Sequence, residues 1–211
     1  SGLTYIDSSR TSSIYKPLLE DKRRFPDSSF SASSSVKGHS PSDARISSGS
    51  SWCAPVSDEK HFLQTDFGRL YYLISFVTYG DSTSPKWVAK YYLNYTVDFL
   101  DWKTVNWIFP GNRNAYHQAG YGYLSVIARS LRFISSAYVG QPCMRVEIWG
   151  QLALPDKPTN LTVTAISSRS AAISWLNPKI RGRYGLSNYR IEVNKDGNLI
   201  LAFTTLKVVN E

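Results

Sequence analysis

Cys53 and Cys143 carry the only thiols in the 211-residue chain, and each sits in a short aromatic-rich run. The first run is Ser51-Trp52-Cys53. The second is Cys143-Met144-Arg145-Val146-Glu147-Ile148-Trp149-Gly150. A pair about 90 residues apart has two chemistries open to it. A bridge would contribute roughly 4–5 kcal/mol by constraining the unfolded chain. Two buried thiols would instead be ordinary packing in a reduced compartment. Nucleophilic use of Cys53 would require an activating base, and the surrounding residues supply no motif for one. His39, His61 and His117 have neither the HExxH pattern nor another metal spacing. A Gly-rich phosphate loop, a Gly-x-Ser-x-Gly elbow and a paired-carboxylate motif are all missing from the sequence. Asp58-Glu59 beside Lys60 reads as a solvated turn. The expectation is a protein that binds rather than catalyses, and that needs no cofactor.

Composition narrows the class. Hydrophobic residues make up 42% and aromatic residues 14%, while charged residues reach only 19%, below the usual quarter. That balance favours an ordered, strand-rich, exported protein. The net charge of +8 is spread evenly: 15 Lys/Arg stand against 11 Asp/Glu in residues 14–151, and 8 against 4 in residues 152–211. Without a dense basic block, nucleic acid is not an expected partner; anionic glycans, acidic lipid headgroups or acidic proteins all suit a mildly basic surface. No apolar run approaches the length of a membrane-spanning helix, and the opening Ser-Gly-Leu-Thr-Tyr does not read as a signal peptide. A secreted protein would then be represented here in mature form.

The elements that must position these residues are short strands. From Ile14 onward the helix period is missing, and apolar runs are punctuated by Gly, Pro, Ser and Asp. His61–Phe67 is predicted as one strand ending at Gly68, and Leu70–Val77 as a buried central strand. Lys90–Val97 alternates, with Tyr91, Leu93, Tyr95 and Val97 on one face and Tyr92, Asn94 and Thr96 on the other. Leu131–Ile134 and Met144–Ile148 alternate again. The Ser-rich stretch from Ser31 to Ser51 reads as mainly loop.

Taken in order, Pro26-Asp27-Ser28, Ser31–Ser35, Ser40-Pro41-Ser42-Asp43-Ala44-Arg45, Trp52-Cys53 and Leu63-Gln64-Thr65-Asp66-Phe67-Gly68 resemble the discoidin domain, also called the coagulation factor V/VIII type C domain. The likeness continues through Trp87–Tyr95, Trp102, Phe109-Pro110-Gly111-Asn112, Leu131-Arg132-Phe133 and Cys143–Gly150, covering residues 14–151. It implies an all-β jelly-roll sandwich of the galactose-binding-like kind, with three loops projecting at one end. The cysteine pair that usually closes the ends of such domains is replaced by Ile14 and Gln151. Trp52-Cys53 and Cys143–Val146 are instead similar to the second bridge of the collagen-binding discoidin receptors, which implies that Cys53 pairs with Cys143. Discoidin-like jelly rolls sometimes hold a structural calcium, although no acidic loop announces one here.

The resemblance also implies where a ligand would bind. The three loops would be Val36-Lys37-Gly38-His39-Ser40-Pro41, Tyr79–Lys86 with Asp81 and Ser82, and Arg113-Asn114-Ala115-Tyr116-His117. Tyr offers an amphipathic face, and Lys, Arg, Asn and His offer donors. Val36 stands where the collagen-binding receptors carry tryptophan, so collagen is not implied. Lys37-Gly38-His39 is polar, which argues against insertion into lipid. The expected ligand is an extracellular protein or glycan.

After Gln151 a Pro-punctuated linker, residues 152–158, leads into a second module at 159–211, and residues 1–13 form a polar extension. Pro158–Val163, Ser170–Trp175 and Asn188–Val193 resemble the first strands of a fibronectin type III domain, with Trp175 as its core tryptophan. Such a module needs ~90–100 residues, so this one would be incomplete and could pack on another chain. Lys179, Arg181 and Arg183 form a basic loop there that suits a sulfated glycan or an acidic partner. Asn94-Tyr95-Thr96 and Asn160-Leu161-Thr162 are glycosylation sequons, both expected on outward strand faces. Together these features predict an extracellular or cell-surface chain acting in adhesion. The alternatives are a carbohydrate-binding accessory of a secreted enzyme, or a structural part of an extracellular assembly.

Overall fold

The computed structural model describes residues 15–117, 119–153, 158–167, 170–176, 190–195 and 198–204. The chain divides into two compact units, with the boundary between Leu152 and Ala153.

In the first unit nine strands make one hydrogen-bonded sheet. They are β1 (Lys16–Pro17), β2 (Phe30–Ala32), β3 (Trp52–Cys53), β4 (Phe62–Tyr79) and β5 (Trp87–Thr96), then β6 (Lys103–Thr104), β7 (Phe109–Pro110), β8 (Ala119–Val139) and β9 (Cys143–Leu152). The main order is β1-β9-β4-β8-β5-β6, with β2 on β4, β3 on β9 and β7 on β5. Pairing throughout these strands is antiparallel. Two strands carry the architecture because they bend. The first part of β4 pairs with residues 130–134 of β8, and its last part pairs with both β8 and β9. The register shifts between Asp66 and Tyr71. There Gly68 takes φ 69°, a left-handed conformation natural to glycine. The strand predicted to end at Gly68 therefore continues through it, because a bend rather than a turn occupies the glycine.

The bends of β4 and β8 curl the sheet around an aromatic-rich core. Phe76 meets Tyr91, Phe109 and Phe133 at ring-centroid distances of 6.1, 5.3 and 5.4 Å. Phe25 stands edge-on to Phe67 and Tyr71 at 6.0 and 5.6 Å. Such pairs add about 0.5–1.5 kcal/mol each beyond area burial. In β5 the alternation holds for Tyr91 and Leu93, with Tyr95 half-buried, but Thr96, expected on the outward face, is buried at the end of the strand. Val97 is exposed, since the strand stops at Thr96 and the inward face stops with it.

The N-terminal flank is held by buried charge. Lys16 and Pro17 pair with Gly150 and Trp149. Glu147, only 2% exposed, accepts hydrogen bonds at Oε1 from the amides of Leu18, Leu19 and Ile148 at 3.0, 2.9 and 2.8 Å. Its Oε2 finds no partner among the described residues. Burial pushes the Glu147 carboxyl above the usual carboxylate range, against the pull of those amides. Arg45, equally buried, donates to the carbonyls of Leu19 and Phe25 and to Asp27 Oδ1, and lies 4.6 Å from the Phe30 ring centroid.

The second unit contains two antiparallel hairpins. One joins β10 (Thr159–Ser167) to β11 (Ser170–Leu176), the other β12 (Arg190–Lys195) to β13 (Asn198–Thr204). Leu161 and Val163 on β10 are 65% and 63% exposed, so that face of the hairpin is open. Lys179, Arg181 and Arg183 lie outside the described residues.

Candidate functional site

Cys53 and Cys143 are direct register partners of β3 and β9 and form a disulfide, with Cα atoms 4.1 Å apart and zero exposure. The bridge lies beneath the first loop and, through Ser51, is linked to the second. His39 Nδ1 lies 2.9 Å from the carbonyl of Ser51 and 3.4 Å from Cys53 Sγ, so the first loop folds over the bridge. Val36 begins that loop with its amide on the Cys53 carbonyl at 2.9 Å.

Asp81 ties in the second loop. Its carboxylate is 1% exposed and accepts from Ser51 Oγ at 2.8 Å, from the Thr83 amide and hydroxyl, and from Ser84 Oγ. Burial alone would raise its pKa, but these donors outweigh it and hold the carboxyl below the ordinary value. The Asp81 amide closes the loop on the Lys86 carbonyl at 2.8 Å, and Ser82 Oγ reaches the Gly49 carbonyl at 2.9 Å. The segment 49–51 thus links the first and second loops.

The third loop is joined through the backbone. Gly80 N–H donates to the Ala115 carbonyl at 3.0 Å. A Cβ on Gly80 would meet Ala115 Cα and Trp87 Cβ at 2.7 Å, so only glycine permits this approach. Buried Asn112 exchanges hydrogen bonds with Thr78 and donates to the His117 carbonyl at 2.8 Å. Asn114 Oδ1 accepts the amides of Tyr116 and His117 at 3.0 and 2.8 Å, fixing the turn at the tip. Beneath, Arg145 Nε donates to the Gly80 carbonyl at 3.0 Å and Nη1 to the Ile46 carbonyl at 3.3 Å, its guanidinium 5.4 Å from the Tyr79 ring centroid.

The twelve residues expected in the site therefore divide into posts and tips. Lys37, Ser40, Arg113, Tyr116 and His117 are exposed, whereas Val36, His39, Tyr79, Ser82, Lys86 and Asn114 are half-buried. Ser40 is partly spent on a capping box with Asp43, and Lys86 Nζ reaches Gln141 Oε1 at 3.2 Å. Asp81 departs from the expectation of a ligand contact: enclosed by hydroxyl donors, it fastens its loop. Asn112, Arg145 and Ser51 were not anticipated as members of the site. The Phe109-Pro110-Gly111-Asn112 and Cys143–Val146 runs held the signal for two of them.

Cys53, Asp81 and Cys143 have ligand-type atoms within 4.8 Å of one another. Both sulfurs are committed to the bridge, and a single carboxylate falls short of the six to eight oxygens calcium requires. Of the sequon asparagines, Asn160 is exposed with φ 53°. Asn94 is half-buried on β5 opposite Arg132 and Thr104, its Oδ1 enclosed without a partner among the described residues.

A curled antiparallel sheet with three loops joined to one another by hydrogen bonds defines a β-sandwich with a platform of loops. The family model of the F5/8 type C domain matches residues 29–148, more than half of the chain, and the chain belongs to that family. Discoidin II from Dictyostelium discoideum has a similar fold, at 20% identity with a TM-score of 0.51, covering 67% of this chain and 62% of that one. The family 32 carbohydrate-binding module of NanJ from Clostridium perfringens, in complex with galactose, is similar at 16% identity with a TM-score of 0.50; 64% of this chain matches 99% of that one. An F5/8 type C domain from Bacteroides fragilis is similar at 12% identity with a TM-score of 0.50, over 65% of this chain and 97% of that one. These likenesses are of fold. The chain spans less than two thirds of discoidin II. No described helix is long and apolar enough to cross a membrane.

Proposed function

We propose that this chain is an extracellular recognition and adhesion module that grips a glycan, or a glycan-bearing protein, with the tips of loops 36–41, 79–86 and 113–117. The observation that carries the reading is the division of the platform: Lys37, Arg113, Tyr116 and His117 stand exposed on posts that are themselves buried. Tyr116, 56% exposed, offers a ring for a sugar face, and the neighbouring cations and amides offer donors for its hydroxyls. The buried disulfide supports an oxidising compartment.

The second unit extends the reading. Its hairpins carry Trp175 and would belong to a fibronectin type III module, which with the F5/8 type C domain suits a cell-surface receptor or matrix protein. The exposed Leu161 and Val163 are the surface on which further chain or another subunit would pack. The exposed Asn160 would carry an N-glycan, whereas Asn94, expected on an outward face, is half-buried with its Oδ1 enclosed. A second reading, a carbohydrate-binding accessory of a secreted enzyme, is favoured by the fold likeness to the galactose-bound bacterial module.

A glycan array probed beside a panel of extracellular proteins tests the proposal. Selective capture of glycans or glycoproteins, abolished by enzymatic deglycosylation, is the expected result. Capture of proteins that survives deglycosylation would overturn the glycan reading.

A further inference from the structure

We infer that the loop tips take a sugar whose ring carries a carboxylate, a sialic or hexuronic acid, in preference to a neutral hexose; the inference rests on the loop-tip reading proposed above. The three loops meet around one anion. Asp81, 1% exposed, is walled in by Ser51, Thr83 and Ser84. Beside it, the Gly80 amide donates to the Ala115 carbonyl of the third loop at 3.0 Å. On its other side Ser82 Oγ reaches the Gly49 carbonyl at 2.9 Å, and Ser50 Oγ reaches the Gly38 carbonyl of the first loop at 3.1 Å. Lys37 adjoins Gly38 and Arg113 lies two residues before Ala115, so both cations flank contacts that converge on Gly80-Asp81-Ser82.

The charges left for a ligand are of one sign. Lys37 and Arg113 are exposed, and neither side chain has a hydrogen bond or ion pair among the described residues. The Asp81 charge is spent internally: its oxygens accept from neighbouring hydroxyls, and the Arg145 guanidinium of β9 interacts with it. The carboxylates that border the first loop are occupied by local donors. Asp43 accepts from Ser40 and Ser48, and Asp58 from Ser34 and the Lys60 amide.

A sugar hydroxyl both donates and accepts, whereas lysine and arginine side chains only donate. Their match is a group that only accepts. An ionised carboxylate is such a group, and its bonds to these cations are roughly twice as strong as neutral ones. Arg113 and Tyr116 belong to one turn, fixed by Asn114 Oδ1, which accepts the amides of Tyr116 and His117 at 3.0 and 2.8 Å. A sugar ring laid on Tyr116 would therefore bring a carboxylate borne on that ring toward Arg113, and one loop would read both face and charge.

Titration calorimetry on the full chain with sialyllactose and with tetragalacturonate, each beside its carboxyl methyl ester, tests this. For whichever acid binds, the expected affinity is about tenfold or more above that of its ester, and it falls as sodium chloride rises from about 50 to 300 mM. R113Q and K37Q should each remove most of the difference between acid and ester at an unchanged thermal midpoint. Equal affinity of acid and ester, tighter binding of lactose or sulfated lactose than of either acid, or no binding of either acid at millimolar concentration would overturn the inference. Preferred lactose binding that is lost in Y116A would do so while leaving the loop-tip reading intact. Acid binding undiminished in K37A/R113A/Y116A/H117A would instead overturn the loop-tip reading itself, and this inference with it.

Discussion

The two ends of the first unit's chain path are fastened by different physics. At the loop platform a covalent bridge lies under neutral donors and a single satisfied carboxylate. At the N-terminal flank two buried ionisable side chains do the fastening: Glu147 gathers three amides, and Arg45 gathers two carbonyls and Asp27. The difference teaches where function is placed. Covalent fastening leaves Lys37 and Arg113 exposed at the platform's tips, where the proposed ligand would meet them, whereas Glu147 and Arg45 are consumed in holding residues 18–27.

The comparison breaks most sharply at the bridge. Replacing both cysteines by alanine should cost roughly 4–5 kcal/mol in denaturant unfolding, the loop-entropy value for a closure of this length. Retention of full stability would mean that the packing of β3 on β9 suffices alone. Next in size, Arg45→Met should lose about 3 kcal/mol by stranding two buried carbonyls. Ligand binding at the proposed platform should persist, since the Arg45 side chain contacts Leu19, Phe25, Asp27 and Phe30 and none of the three loops.

Acid and base should then separate the two fasteners. Asp81 has a depressed carboxyl, so its contribution is present above its unfolded value and is lost as pH falls through the folded one. Glu147 has a raised carboxyl, so its contribution is present in acid and is lost as pH rises from the unfolded value through the folded one. Chemical unfolding between pH 3 and pH 8 should show Asp81→Asn flattening the acid limb and Glu147→Gln flattening the limb on the other side. Identical pH profiles for both variants would contradict the assignment. The smallest effect on stability, within about 0.5 kcal/mol, is expected for alanine at Lys37, Arg113, Tyr116 and His117, which are exposed tips.

What was legible in the sequence follows local rules. The alternation in β5 and β9 reports which side chains face inward, because a pleated strand has period two. The order of short motifs between Pro26 and Gly150 reports the family, and the paired Trp52-Cys53 and Cys143-Met144 runs report the bridge. The burial of Asp81 was not legible. A carboxylate in a Tyr-Gly-Asp-Ser-Thr-Ser loop reads as solvated, and only the distant Ser51 and the return to Lys86 enclose it. Glu147 and Arg45 are hidden for the same reason: apart from the neighbouring Ile148 amide, their hydrogen-bond partners lie 18 or more residues away. The continuation of β4 through Gly68 was also missed, because glycine signals a bend and a turn with the same letter.

The most direct test of the account is the combined variant K37A/R113A/Y116A/H117A, compared with the unaltered chain for ligand affinity and thermal midpoint in the same preparation. The account predicts that affinity for an array-identified glycan falls at least a hundredfold while the midpoint stays unchanged. Undiminished affinity in that folded variant would contradict it and move the ligand site away from the loops.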